Sequence, residues 1–169
     1  MKYNFRNKWQ LENKLVGLPN SMKRLLIDNS SLTKRLAIKK GLIIVLSTKL
    51  DLVKQSEYSS KKYTLVRKVQ LTGTLDYPVT ATSYTPASSI RGRLMYVKYL
   101  KGKSLATVLF KKPKFKKQYV DYQVTSNDVR RYTCFKRKNL SINVEEIFPK
   151  NNNYPDLRLI ECRRNICNI

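Results

Sequence analysis

Two charged residues stand where strand alternation calls for apolar ones. In the run Tyr63 to Leu71 every second position is apolar (Tyr63, Leu65, Val69, Leu71) except Arg67. In Leu140 to Pro149, the set Leu140, Ile142, Val144, Glu146 and Phe148 shares one side, so Glu146 and not Glu145 is the acid on the core face. A charge buried without a partner costs several kcal/mol, so each of these residues needs the other or a ligand. Two readings stay open. One is an internal Arg67–Glu146 salt bridge. The other is a pocket between sheet and helices, in which Arg67 takes a carboxylate through two parallel hydrogen bonds and Glu146 faces a polar group at the far end.

Other chemistries lack their residues. The chain has no histidine to serve as base for a serine or cysteine nucleophile, and no Gly-rich phosphate loop. Its three cysteines, Cys134, Cys162 and Cys167, are too few for a zinc site without histidine, and they read as free thiols. No metal, redox or organic cofactor is expected.

The charge balance is the strongest bulk signal. Lys+Arg 35 against Asp+Glu 11 gives a formal net charge of +24 over 169 residues. An anionic partner is implied, yet the basic residues spread from Lys2 to Arg164 with only short runs such as Lys111 to Lys117. An A/T-biased coding sequence also explains abundant Lys, Asn, Ile and Tyr with scarce Gly and Pro. An RNA-associated reading would use Tyr119, Tyr122, Tyr132 and Phe135 as stacking rings among lysines. The amino terminus lacks the apolar core of a signal peptide, and no run of about 20 apolar residues reads as a membrane span.

The elements that must position Arg67 and Glu146 follow from periodicity. Helical spacing covers 8–40, with Met22, Leu25 and Leu26 after Pro19, then Leu32, Leu36 and Ala37 after Ser30-Ser31, which are suited to cap a helix, with Gly41 as the stop. The period then becomes two: strands are expected over 42–53, with Leu42, Ile44, Leu46, Leu50 and Leu52 on one face, over 63–74 and over 75–86. Helical spacing returns over 87–110, with Ile90, Leu94, Val97 and Leu100 in a stripe and a short helix capped by Ser104. Strands at 118–125, 131–138 and 140–149 complete the pattern. The short turns make neighbours antiparallel, and the order predicts an α+β domain over 1–149 with one six-stranded antiparallel sheet, helices on one face, and a tail over 150–169.

Four segments, in order, resemble the chorismate lyase family, whose members remove pyruvate from chorismate to give 4-hydroxybenzoate. They are Ser30 to Leu36 (SSLTKRL), Leu65 to Leu71 (LVRKVQL), Gly102 to Phe110 (GKSLATVLF) and Val144 to Pro149 (VEEIFP). The resemblance implies a cofactor-independent lyase supplying a quinone or phenolic pathway. By it, Arg67 binds the ring carboxylate, the backbone N–H groups of Leu32 and Leu105 help hold that carboxylate, and Glu146 sits by the oxygen at the ring's far side. Free N–H groups at a helix start suit an anion.

The chain departs from the best-known bacterial members on the strand PVTATSYTP, where Thr82 and Ser83 stand in place of a second substrate arginine. Arg91 or Arg93 is a candidate substitute. This strand is more similar to a branch that includes plastid-encoded and cyanobacterial members, which implies a plastid stromal location. A small-molecule sensor without catalysis is the other binding class, since related sheet domains serve transcription regulators.

Overall fold

The computed structural model describes residues 13–28, 30–36, 43–54, 61–72 and 75–154. The region around Trp9 and Leu11, the segment from Ala37 to Gly41 and the tail beyond residue 154 lie outside the described residues.

Six strands form one open antiparallel sheet: β1 (Ile43–Lys54), β2 (Lys61–Leu71), β3 (Val79–Pro86), β4 (Lys116–Val124), β5 (Asp128–Arg137) and β6 (Leu140–Pro149). The spatial order is β1-β2-β3-β6-β5-β4, with every neighbouring pair antiparallel. Each half is a meander built from adjacent strands, and β3 paired with β6 joins the halves. The expected single sheet, covered by helices on one face, is the observed one.

The covering face carries α1 (Asn20–Ile27), α2 (Leu32–Arg35), a 3-10 helix (Gly92–Tyr99) and α3 (Ala106–Leu109). Pro19 precedes α1, where its missing N–H costs nothing, and Met22, Leu25 and Leu26 are buried one turn apart. The α2 and α3 helices have four residues each and cannot persist alone; contacts to the sheet hold them. The α-helical spacing expected over 87–110 is realised differently. Leu94, Val97 and Leu100 recur every third residue, which matches three residues per turn; the segment is a 3-10 helix that buries Leu94 and Val97, with Leu100 buried just past its end.

Two apolar clusters sit on this face at opposite ends of the strands. One joins Leu15, Met22, Leu25 and Leu26 to Val69, Leu71, Val79, Val129 and Phe148, with Tyr154 against Phe148. The other joins Leu94, Val97, Leu100, Val108 and Leu109 to Leu65, Phe135, Ile142 and Val144. Fully burying a side chain the size of Phe148 is worth about 1.5–3 kcal/mol, so each cluster anchors its own helices. The middle of the covered face is left to polar residues.

Strand β1 departs from its expected face. The register slips between Val45 and Ser47, so Ile43 and Val45 oppose the inward Leu71 and Val69, while beyond the slip Leu50 opposes the inward Leu65. Ile44 opposes Gln70 on the other side. One extra residue reverses the alternation, and Ile44 and Leu50 point to opposite faces. Since β1 is a sheet edge, Ile44, Leu46, Leu50 and Leu52 all stay exposed.

Candidate active site

The polar middle of the sheet is laid down by register. Cross-strand neighbours point the same way, so Val69, Ala81, Glu146, Arg131 and Tyr122 form one inward row across β2, β3, β6, β5 and β4. Arg67, Ser83, Val144, Thr133 and Val120 form the next. Ala81 and Ser83 are the small members at the centre, and the space above them is a pocket of about 680 Å³ including its open mouth. Its roof comes from the starts of α2 and α3, at Ser31 to Thr33 and Ser104 to Ala106. Among the described residues, the charged ones lining it are Arg67, Lys117, Arg131 and Glu146.

Arg67 lies under the loop that leads to α3. It is 3% exposed, its Nη2 donates to the carbonyls of Lys101 at 2.7 Å and Lys103 at 3.0 Å, and its buried Nε–H has no protein acceptor. Burial holds the guanidinium below its ordinary value, but arginine stays charged at neutral pH. This is a buried cation held by neutral carbonyls and not by a carboxylate.

The internal salt bridge is not formed. Strand β3 lies between β2 and β6, which puts Arg67 and Glu146 ~10 Å apart across the strands, with a further offset of two residues along them. Glu146 is instead paired with its direct cross-strand neighbour, Arg131, at 2.6 Å from Nε to Oε2. Arg131 also donates through Nη1 to the carbonyls of Leu26 at 2.9 Å and Leu25 at 3.2 Å, and Tyr122 donates to the Leu26 carbonyl at 2.9 Å. These are last-turn carbonyls of α1, which have no partner inside the helix, so the sheet caps α1 from below. Sequence reading missed Arg131, although Val129, Arg131, Thr133 and Phe135 alternate on one face of β5 just as Arg67 does on β2.

The two helix starts are tied together by hydroxyls. Ser31 Oγ and Thr33 Oγ1 are 2.8 Å apart, Thr33 Oγ1 and Ser104 Oγ are 2.8 Å apart, and the Ala106 N–H donates to Ser104 Oγ at 3.2 Å. Leu32 and Leu105, named from the sequence, both line the pocket beside this chain. Ser104 bonds the first turn of α3 as expected. Ser30 and Ser31 do not cap α2: Ser30 Oγ is engaged by Asp28 and Arg35, and Ser31 Oγ by Thr33. The hydroxyl network across the helix starts, and the Asp28–Arg35 ion pair, take the oxygens that would otherwise reach a backbone N–H.

The expected substitutes for a second arginine are elsewhere. Arg93 donates to the carbonyls of Lys111, Lys112 and Pro113, and Arg91 is exposed beside Arg137 and Lys138. Ser83 does line the pocket, with Oγ 3.5 Å from the Arg67 carbonyl, and Thr82 points away from it. Nor are the four rings named for base stacking a surface set: Tyr122 and Phe135 are core residues, 6% exposed each. Among the described residues, no helix is long and apolar enough to cross a membrane.

Fold and pocket together define a class: an open antiparallel sheet whose short helices enclose a basic cavity sized for a small organic anion. Residues 4–154 match the chorismate lyase family, and the chain belongs to that family. No curated protein matches it. Family membership makes it a chorismate-related lyase by descent.

Proposed function

We propose that the protein eliminates pyruvate from chorismate to give 4-hydroxybenzoate. The observation that carries this reading is Arg67: a buried guanidinium, paired with no carboxylate and with Nε–H unpartnered, at one end of a pocket whose other end holds Glu146. An aromatic or cyclohexadienyl carboxylate supplies what Arg67 lacks. The Leu32 and Leu105 N–H groups stand at the same roof and add donors to that carboxylate.

In this reaction the C3–O bond of the ring breaks and the C4 hydrogen is lost, while the C4 hydroxyl stays. The departing enolpyruvate gains a proton on its methylene carbon and becomes pyruvate. Aromatisation drives the step, so the protein's part is positioning and electrostatics. Arg67 fixes the ring by its carboxylate. Glu146, held by Arg131, accepts a hydrogen bond from the C4 hydroxyl and orients that carbon. Val69, Leu109, Phe110 and Phe135 keep water from the ring. Neither a metal nor a redox cofactor enters this scheme, and the product serves quinone or phenol synthesis, in a plastid if the A/T-biased composition reflects the coding genome.

The test is formation of 4-hydroxybenzoate and pyruvate in equal amounts from chorismate by the purified chain. Absence of both products, with the chain folded and chorismate bound, refutes the lyase reading.

A further inference from the structure

The charge of the chain is unevenly placed. Between Asp76 and Asp121 the sequence has no acidic residue and ten Lys or Arg. Elsewhere on the described surface cations stand beside carboxylates, as in Lys14–Asp121, Lys49–Asp51 and Arg130–Asp128. Within the acid-free stretch Lys98, Lys101, Lys103, Lys111, Lys112 and Lys114 are all exposed. The fold draws them together. Arg93 donates to the carbonyls of Lys111, Lys112 and Pro113, which ties that basic loop to the Gly92–Tyr99 helix one turn before Tyr96. The carbonyls of Lys101 and Lys103 are held from below by Arg67, and their side chains are left to solvent.

The Gly92–Tyr99 helix sets apolar groups among these charges. At three residues per turn it carries three rows of side chains. One row, Leu94 and Val97, is buried in the cluster on the sheet. The other two face outward and present Met95 and Lys98, and Tyr96 and Tyr99; Met95, Tyr96 and Tyr99 are 41%, 58% and 62% exposed. The Lys98 ammonium lies 4.7 Å from the centre of the Tyr99 ring. Scattered singly, such side chains carry no message, but three on adjoining rows of one helix and rimmed by lysines make an amphipathic ridge.

We infer that this ridge seats the protein on the surface of an anionic phospholipid bilayer, without crossing it. Tyrosine spans the boundary between acyl chains and headgroups with its ring on one side and its hydroxyl on the other, and lysine lays its methylenes there with the ammonium among the phosphates. Each lysine within a Debye length of the lipid phosphates adds to the attraction. A nucleic-acid strand fits less well. Phosphates are gripped best by arginine forks, whereas lysines rim this ridge. The ridge is also the outward side of a helix and not a groove that tracks a backbone, and Met95 offers nothing to a phosphate. Membrane docking goes beyond the lyase reading and does not depend on it.

Sedimentation of the full chain with vesicles tests the inference, using phosphatidylcholine alone and phosphatidylcholine with phosphatidylglycerol at about 2:1. Binding to the mixed vesicles is expected to exceed binding to the neutral ones about tenfold or more, and to fall about tenfold between roughly 0.05 and 0.5 M salt. The double variant Tyr96→Ser/Tyr99→Ser is expected to weaken mixed-vesicle binding about tenfold, and Lys98→Glu/Lys101→Glu about 30-fold. All four positions are exposed, so unfolding midpoints should stay near wild type. Lys62→Glu/Lys68→Glu makes the same change in net charge on the open face of the sheet and is expected to stay within about threefold of wild type. Equal losses from the two lysine pairs overturn the inference, because the attraction then belongs to the net charge of +24 and not to the ridge. Wild-type binding after loss of both tyrosines overturns it as well. Failure to sediment with the mixed vesicles, together with salt-sensitive retention on single-stranded oligouridylate, marks a nucleic-acid face in its place.

Discussion

Replacing Arg67 by methionine separates folding from function. The side chain is 3% exposed, and its losses on substitution are two charge-assisted hydrogen bonds, to Lys101 O at 2.7 Å and Lys103 O at 3.0 Å. Each such bond contributes about 1.5–3 kcal/mol. Against this, the chain no longer buries a cation without a counter-charge, which removes a penalty of several kcal/mol. Methionine fills the same volume with a flexible apolar chain. The two terms nearly cancel, and Arg67→Met is expected within about 2 kcal/mol of wild type, a midpoint shift no larger than ~8 °C for a chain of this size. Binding has no such compensation. Loss of a desolvated bidentate carboxylate contact costs about 2–5 kcal/mol, which lowers affinity for 4-hydroxybenzoate roughly 30-fold to several thousand-fold. Thermal unfolding by circular dichroism and titration calorimetry with 4-hydroxybenzoate measure the two halves. A folded Arg67→Met protein that binds 4-hydroxybenzoate within threefold of wild type refutes the role given to Arg67.

Further substitutions, centred on Glu146, Phe148 and Asp28, probe the frame. Glu146→Gln leaves Arg131 buried without its counter-charge, with side-chain exposures of 5% and 12% for the pair, and is expected to cost about 3–5 kcal/mol in urea unfolding; adding Arg131→Met should restore part of it. Phe148→Ala, at a wholly buried position against Tyr154, is expected to cost about 3–5 kcal/mol, while Leu50→Ala at 56% exposure changes stability by less than about 0.5 kcal/mol. Asp28 is pushed up by burial but held below its ordinary 3.8 by the N–H and hydroxyl of Ser30 and by Arg35. A depressed carboxylate contributes stability that is complete above the unfolded value and is lost as pH falls through the folded one. Acid unfolding below about pH 4 should therefore flatten in Asp28→Asn, and an unchanged slope argues against the Asp28–Arg35 pair.

What could be read from the residues in order was anything that local alternation carries. The strands of the two meanders, their antiparallel sense, the inward aim of Arg67 and Glu146, and the grouping of Ser30 to Thr33 and Ser104 to Ala106 at helix starts all follow from periods of two and near three to four. The family resemblance added roles to residues that the alternation had already marked. A helix of period 3.0 is harder to tell from one of 3.6 over eight residues, which is why Gly92–Tyr99 was expected as α-helix.

Tertiary structure alone decided who meets whom. Arg67 and Glu146 could have paired on sequence grounds; insertion of β3 between their strands separates them, and the β5–β6 register gives Glu146 to Arg131. The two register slips settled the rest. Beyond each slip every side chain changes face, and a slip leaves no mark in composition because it is one residue accommodated by the partner strand's pairing. On β1 that reversal sends Ile44 and Leu50 to opposite sides. On β4 the slip between Lys117 and Tyr119 turns Lys117 inward, opposite Phe135, so the third cation of the pocket came from packing between strands and not from any pattern along the chain.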